Sequence, residues 1–203
     1  MEEKKAELKR CGKELFGKKG FKDTNVADIT KLAGVSVGTF YNYYPSKEKL
    51  FMEIFLEENV KHSKELMATI NPNEDPAKLI LRFLSLNMAG MQANPILCQW
   101  YNRDVFAKIE RLYREENGLA TVDFLYRDFL VLVEKWQAEG KMRSDISSEM
   151  VMAIFGAVIT IGTHKEEIGL HYFPRLQDLL TEFVLKGLTD WKGDKKDGTP
   201  PAL

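Results

Sequence analysis

Residues 25–50 of the chain read Asn25-Val-Ala-Asp-Ile-Thr-Lys-Leu-Ala-Gly-Val-Ser-Val-Gly-Thr-Phe-Tyr-Asn-Tyr-Tyr-Pro-Ser-Lys-Glu-Lys-Leu50. Asn25 is a good N-cap residue, and Val26 and Ile29 recur at helical spacing, so a short helix is predicted to begin after Asn25. Gly34 is predicted to end this helix, because glycine adopts the left-handed conformation of a helix C-terminus at little cost.

A second short helix is predicted to follow at once. Ser36 is its N-cap, and Pro45 ends it because proline disfavours helical geometry in the residue before it. Ser46 then caps a third helix. Two short helices joined by a tight glycine turn form a helix-turn-helix, in which the second helix enters the major groove of DNA.

The two sides of the second helix carry different residues. Phe40 and Tyr44 lie four positions apart and share a face, so with Val35 they are predicted to point into the core. The outward side is predicted to carry Gly38, Thr39 and Asn42, with Tyr41 and Tyr43 on its flanks. From the flank of such a helix, the phenol hydroxyl of a tyrosine can bond a phosphate oxygen of DNA without reading the base sequence.

This stretch resembles a known family. The segment from Ala33 to Tyr44, followed by Lys47 and Leu50, is similar to the N-terminal signature of the TetR family of transcriptional regulators. Further matches to that pattern lie upstream, at Phe16, Gly20, Phe21, Thr24, Val26 and Ile29. Thr30 stands where alanine is usual, so its hydroxyl must bond within its own helix or face outward.

The resemblance implies a fold and a function. The expected fold is all-α, with an N-terminal three-helix helix-turn-helix DNA-binding domain and a C-terminal helical domain for ligand binding and dimerisation. The expected function is that of a ligand-responsive transcriptional repressor, which binds a palindromic operator as a homodimer and is released by a small apolar or aromatic effector. The residues expected to contact double-stranded DNA are Asn25, Ser36, Val37, Gly38, Thr39, Tyr41, Asn42, Tyr43 and Lys47.

The composition is that of a soluble globular protein. The chain has 203 residues, of which 44% are hydrophobic and 29% charged, and no apolar run is long enough to span a bilayer. The net charge is −1, but residues 1–50 hold eleven Lys or Arg against seven Asp or Glu. A basic end that coincides with the motif fits a DNA-binding head. We expect a cytoplasmic protein without membrane contact.

Helical patterns continue through the rest of the chain. A first helix is predicted over residues 3–19, where the lysines are read as a solvated face, and a long helix runs from Ser46 to about Met67 with His62 on its surface. Further helices are predicted at 77–92, 95–115, 119–140, 147–163 and 174–190. The predicted domains are 1–50 with a linking helix to about 70, then 51–191, then a mobile tail over 192–203.

The middle helices are rich in aromatic and methionine side chains. An ordinary helical core is the simpler explanation for each one taken singly. As a set, they are typical of the walls of an adaptable apolar ligand cavity. The residues predicted to bind the effector are Phe83, Met88, Met91, Trp100, Tyr101, Phe106, Phe124, Phe129 and Trp136.

Two strongly apolar helices near the C-terminus must be covered, either by their own core or by the same pair from a second subunit. The resemblance favours the second alternative. The residues predicted to form the dimer interface are Met150, Ile154, Ala157, Ile161, Leu176, Leu180, Phe183 and Val184. His164 and His171 lie near this region in no standard metal-binding spacing, so no metal site and no cofactor are expected.

Two other classes of function remain open. One is an all-α enzyme, although the sequence shows no nucleophile and base pair, no carboxylate pair and no metal-ligand cluster, so we expect no catalysis. The other is an interaction module that keeps the helix-turn-helix only as a scaffold. Salt-sensitive binding to duplex DNA distinguishes the regulator from both alternatives.

Overall fold

The structure is a computed structural model that describes residues 2–116, 120, 123–173 and 175–190, without the side chains of residues 103, 106, 107, 163 and 166. The predicted tail, residues 192–203, lies outside the described residues. All regular secondary structure in the described part of the chain is helical, as the sequence predicts. None of the helices described is both long enough and apolar enough to cross a membrane.

The α-helices follow one another along the chain with short connections. They are α1 (Glu2–Lys19), α2 (Val26–Leu32), α3 (Val37–Tyr41), α4 (Lys47–Met67), α5 (Pro76–Ala93), α6 (Arg103–Glu115), α7 (Asp123–Ala138), α8 (Ser148–Thr160), α9 (Lys165–Ile168) and α10 (Arg175–Thr189). Short 3-10 helices span Leu97–Tyr101, Ile161–His164 and Leu170–Tyr172.

The prediction of one continuous helix over 95–115 is wrong, because the structure interrupts it at Asn102. Asn102 has an extended backbone, with φ −87° and ψ 110°, and its side-chain oxygen accepts a hydrogen bond from the backbone N–H of Val105 at 3.4 Å. Asparagine at an N-cap offers the backbone an alternative to helix continuation. The segment therefore divides into the 3-10 helix Leu97–Tyr101 and α6.

The described chain divides into two compact units. The first comprises residues up to 70 together with 83–125, and the second comprises residues 71–82 together with those from 126 onward. The predicted DNA-binding domain, residues 1–50, lies wholly within the first unit, whereas the predicted body contributes to both. The functional boundaries stay a prediction.

Aromatic rings form the centre of the first unit. Phe51 on α4 contacts Phe16 and Phe21 edge to face, with ring centroids 5.1 and 4.9 Å apart. Phe55, one turn further along α4, stacks on Trp100 at 5.4 Å. Such pairs add about 0.5–1.5 kcal/mol each beyond the burial of their area. Helix α4 is thereby packed on α1 and on the 3-10 helix that precedes α6.

Ion pairs join α1 to α4 along the edge of this core. The Lys5 ammonium lies 3.0 Å from the Glu53 carboxylate, and Lys9 lies 3.3 Å from the same carboxylate. Burial raises the pKa of Glu53, but the hydrogen bonds and charges of the two lysines outweigh burial and hold that pKa below its usual value. Lys13 also pairs with Glu58. These lysines therefore pair with α4 while their side chains stay partly exposed to solvent.

The second unit has a separate apolar core. Its fully buried residues include Trp136 of α7, Val151 of α8 and Leu79 at the start of α5, each with none of its surface exposed. The loop between α7 and α8 is fastened by Gln137, whose amide donates to the carbonyls of Arg143 at 2.8 Å and Ile146 at 3.0 Å. This core gives α8 and α10 one buried face each.

His62 does not lie freely on the surface of α4, as the sequence analysis expects. Its Nε2 is 3.0 Å from the Asn87 side-chain oxygen, and its ring lies against Gly90 of α5. A Cβ atom at residue 90 would be only 2.2 Å from His62 Cε1. Glycine at residue 90 is therefore what allows the imidazole to lie between α4 and α5.

We expect Gly90→Ala to lower the free energy of unfolding by about 1–3 kcal/mol, because the added methyl must displace the imidazole from a packed site. The double variant His62→Ala, Gly90→Ala is expected to recover most of that loss, since the smaller side chain leaves room for the methyl. Urea unfolding of wild type, both single variants and the double variant measures the coupling. Additive losses would contradict the contact.

Candidate nucleic-acid interface

The first helix of the motif begins as its sequence predicts. The Asn25 side-chain oxygen accepts a hydrogen bond from the backbone N–H of Asp28 at 2.8 Å, which caps α2. Ile29 is fully buried, and the Thr30 hydroxyl donates to the carbonyl of Ala27 at 3.1 Å. The hydroxyl is thus satisfied within its own helix, so threonine is accommodated at this buried position.

The turn between the two motif helices depends on Gly34. Its φ is +65°, in the left-handed region where a side chain is strained. The backbone N–H of Val35 returns to the Thr30 carbonyl at 3.0 Å, which closes the end of α2. The chain reverses within two residues and reaches Ser36 in an extended conformation.

The second motif helix, α3, is short and firmly anchored. The Ser36 hydroxyl oxygen accepts the backbone N–H of Thr39 at 3.1 Å and caps the helix. Phe40 is fully buried and Tyr44 is 3% exposed, with their ring centroids 5.8 Å apart. These two rings hold α3 against the core, which confirms the predicted inward face.

The opposite side of α3 is open to solvent. Val37 is 45% exposed and Tyr41 is 55% exposed. A Cβ atom at Gly38 would meet only the Ser36 hydroxyl, at 3.8 Å, so the backbone here can be approached closely. Of the residues predicted to contact DNA, the exposed ones are Asn25, Ser36, Val37, Gly38, Tyr41 and Asn42, and the half-buried ones are Thr39, Tyr43 and Lys47.

Lys47 differs from the rest of this set because its ammonium is bound inside the domain. It donates to the carbonyls of Phe21 at 2.8 Å and Thr24 at 2.7 Å, and it lies 4.4 Å from the centroid of the Phe21 ring. Sequence reasoning missed this role. Thr24 and Phe21 lie 23 and 26 positions before Lys47, and no local sequence pattern connects them to it.

The predicted effector residues are distributed over both units. Trp100 stacks on Phe55 in the first unit, and Trp136 is fully buried in the core of the second. Phe83, Met88, Phe124 and Phe129 are half-buried, Met91 is 9% exposed, and Tyr101 is 40% exposed. The side chain of Phe106 lies outside the described part of the structure. A shared effector cavity therefore stays a prediction.

Two open clefts are described in the first unit. One, of about 520 Å³, is lined by Lys22, Lys47, Asp104 and Lys108. The other, of about 330 Å³, is lined by Tyr43, Tyr44, Pro45, Lys49, Glu53, Leu56, Glu57 and Glu116. Among the side chains that the structure describes, no predicted effector residue lines either cleft.

The predicted dimer residues lie on the open faces of α8, of the 3-10 helix after it and of α10. Met150 is 54% exposed and Phe183 is 62% exposed. Ala157 is exposed too, and Ile154, Ile161, Leu176, Leu180 and Val184 are half-buried. The buried face of each helix is formed by other residues, including Val151 and Leu185. In the described part of the chain, the two helices thus present a second apolar face that is only partly covered.

The fold and this exposed helix define an all-α helix-turn-helix protein. Among the residues described, no group of three or more histidine, cysteine, aspartate or glutamate side chains is placed to hold a metal ion. Residues 11–54 match the model of the family described as bacterial regulatory proteins, tetR family. The matched segment runs from the middle of α1 through the motif into α4.

Similar proteins extend this match beyond the motif. The HTH-type transcriptional regulator YfiR of Bacillus subtilis is 25% identical over 122 residues, which are 55% of this chain and 59% of YfiR. The alignment thus spans less than two thirds of that relative. The TetR-family repressor FadR of Thermus thermophilus, solved with lauroyl-CoA, has a TM-score of 0.62 at 19% identity, over 95% of this chain and 99% of FadR.

A second solved structure, RolR in complex with resorcinol, has a TM-score of 0.61 at 16% identity, over 92% of this chain and 88% of RolR. At these identities the structural likeness concerns the fold alone. The match to the tetR family model concerns the N-terminal segment, residues 11–54, and the likeness to the solved structures extends over most of the chain.

Proposed function

We propose that this protein is a ligand-responsive transcriptional repressor that binds a palindromic operator as a homodimer. The observation that carries the proposal is the two-sided character of α3. Phe40 and Tyr44 are buried, whereas Val37, Tyr41 and Asn42 are exposed on the remaining surface. An exposed helix held rigidly on a basic domain is what entry into a major groove requires.

Each exposed side chain suits one kind of DNA contact. The Asn42 amide has a donor and an acceptor for a base edge, and the Val37 methyls can touch a thymine methyl. The hydroxyls of Tyr41, Tyr43 and Thr39 suit phosphate oxygens, which position the protein without reading sequence. The Asn25 amide nitrogen remains available beside the capping oxygen, so the start of α2 can also bind a phosphate.

A second copy of the chain is needed for this recognition. Helix α3 is five residues long and reads too few base pairs by itself, whereas a two-fold dimer reads two half-sites. The exposed apolar faces of α8 and α10, centred on Met150 and Phe183, supply a surface for such a dimer. Burying these faces against their symmetry mates would form a four-helix interface.

The effector is proposed to be a small molecule with a large apolar or aromatic part. Lauroyl-CoA and resorcinol, the ligands of the FadR and RolR structures, share apolar surface combined with polar atoms. Trp136 is fully buried, and its indole N–H has no hydrogen-bond partner among the described residues. Because a buried donor without a partner is costly, an effector with an acceptor oxygen would be favoured beside it.

Release then follows from linkage. An effector that binds more tightly to a conformation in which the two recognition helices no longer fit successive major grooves lowers operator affinity by the same factor. Helix α4 connects α3 to the rest of the first unit and is the proposed lever. It begins after its N-cap residue Ser46 at the motif end and carries His62 near its other end.

The contact assignment predicts different results for two neighbouring variants. We expect Tyr41→Ala to weaken binding to all duplexes by about 1 kcal/mol, as loss of a phosphate hydrogen bond does. Asn42→Ala is expected to weaken the operator by about 1–3 kcal/mol and to relax base preference at one position in each half-site. Gel shifts with the operator and with single-base variants measure both effects.

The proposal is tested by selecting bound fragments of the source genome with the purified protein. The recovered fragments are expected to share a palindrome, and the logarithm of the affinity is expected to fall steeply and linearly with the logarithm of salt concentration. Acyl-CoA thioesters and small phenols are then added to the complex to find a releasing effector. Recovery of random fragments, or affinity that salt does not change, would favour the scaffold alternative.

A further inference from the structure

Lys47 is engaged on the inside of its own domain. A lysine ammonium has three N–H donors, and two of these are used on the carbonyls of Phe21 and Thr24 at 2.8 and 2.7 Å. The Phe21 ring, 4.4 Å from Nζ, adds a cation–π contact on a further side. Burial lowers the pKa of Lys47, the charge of Glu48 opposes that shift, and the smaller effects of Lys108 and Asp23 lower and raise it respectively. Two of the three donors are therefore used within the domain, and these contacts hold the ammonium in place.

The segment that Lys47 binds connects α1 to α2. It begins at Gly20, whose φ is +80°, and ends at Thr24, immediately before the N-cap of α2. Thr24 is 1% exposed, and its hydroxyl donates to the Gly20 carbonyl at 2.8 Å. The N–H of Gly20 makes the last helical hydrogen bond of α1, to the Phe16 carbonyl at 2.9 Å, and a turn follows. The Phe21 and Thr24 carbonyls accept hydrogen bonds from Lys47, which is therefore part of what orders this segment.

We infer that Lys47 is a positioning residue, which ties the α1–α2 segment to α4 and so fixes Asn25 and the start of α2 beside α3. It is not, on this inference, one of the phosphate contacts. The inference rests on the proposed function, because the surface being positioned is the proposed DNA interface. The chain thus uses the first residue of α4 to join that helix to the segment between α1 and α2.

Lysine and arginine distinguish the two roles. A phosphate contact tolerates Lys47→Arg, because guanidinium binds phosphate at least as well as ammonium does. The site of Lys47, by contrast, is formed by two carbonyls and the face of a ring, and it fits a compact ammonium. The longer, planar guanidinium of Lys47→Arg would have to displace the α1–α2 segment. Lys47→Met removes the charge but keeps the aliphatic stem. Lys64→Met is the matched control, because it removes the same charge from an exposed position in the last turn of α4.

The first measurement is the salt dependence of binding to a genomic fragment that the wild type selects. Both Lys47→Met and Lys47→Arg are expected to bind about tenfold more weakly, with the wild-type slope. A lost phosphate contact would instead reduce the slope by about 0.9 for each site. A reduced slope for Lys47→Met, or wild-type affinity for Lys47→Arg, would overturn the inference.

The second measurement needs no DNA. Amide hydrogen exchange of residues 22–28 is expected to be at least about tenfold faster in both Lys47 variants than in Lys64→Met, because local opening of the segment becomes easier. Unchanged exchange would also overturn the inference. If wild type binds no duplex, the proposed function fails, and exchange still decides whether Lys47 holds the segment. If Lys47→Met does not fold, Lys47→Arg supplies both readouts.

Discussion

Phe183→Glu is expected to convert the proposed dimer into a monomer and to weaken operator binding by about a hundredfold or more, because two linked half-sites become one. Phe183 is 62% exposed on α10 and is not among the buried core residues, so its replacement removes little packing within the chain. In a dimer, the introduced carboxylates would be desolvated against an apolar surface and, near the two-fold axis, against each other.

The variant separates assembly from folding. Helical content and the urea midpoint at low protein concentration are expected to stay near the wild-type values, while light scattering reports half the mass. Gln177→Glu is the control, because it adds a carboxylate to α10 at a half-buried polar position away from Phe183. A Phe183→Glu protein that remains dimeric and binds the operator with wild-type affinity would exclude this face as the interface.

Local signals made the motif predictable. Asn25, Ser36 and Ser46 each accept a backbone N–H three residues ahead, at 2.8, 3.1 and 3.3 Å, as N-cap residues do. Gly34 takes the positive φ that its place in the turn requires. Phe40 and Tyr44 are buried because one turn of helix separates them. All of these properties depend on residues within five positions of one another.

Contacts between distant residues could not be predicted in this way. Lys47 lies 23 and 26 residues from the carbonyls that it binds, and His62 lies 28 residues from Gly90, so only packing of the helices reveals either contact. The interruption at Asn102 was also missed, although a capping residue was present, because apolar periodicity continues on both sides of it. The periodicity of apolar residues indicates which face of a helix is buried. It does not reveal a single residue with an extended backbone between two helices.

The predicted effector-binding and dimerisation domain, residues 51–191, was likewise predictable only in its local features. Periodicity identified apolar stripes on α8 and α10, but burial distinguishes Val151 and Leu185, which face their own unit, from Met150 and Phe183, which do not. For Trp136 the sequence indicates only a large aromatic residue. The structure adds that its indole N–H is buried without a partner among the described residues. The proposed effector is therefore expected to carry a hydrogen-bond acceptor.

Phe40→Ala is expected to lower the free energy of unfolding of the first unit by about 3–5 kcal/mol, the usual cost of deleting a fully buried ring. Because whole domains are stable by only about 5–15 kcal/mol, this loss is a large part of the total. The Phe40 ring contacts Tyr41 at 5.4 Å and Tyr44 at 5.8 Å, and α3 has no other fully buried side chain. Helix α3 therefore depends on this ring for its position.

Tyr41→Ala provides the contrast within the same helix. Its side chain is 55% exposed, so its removal is expected to change the unfolding free energy by less than about 1 kcal/mol. Urea unfolding and gel shifts on both variants then separate two routes to weaker binding. Phe40→Ala is expected to lose stability and binding together, because α3 is released, whereas Tyr41→Ala loses binding alone, because only a contact is removed. Wild-type operator binding by Phe40→Ala would show that the position of α3 does not govern recognition, and the proposed interface would have to lie elsewhere.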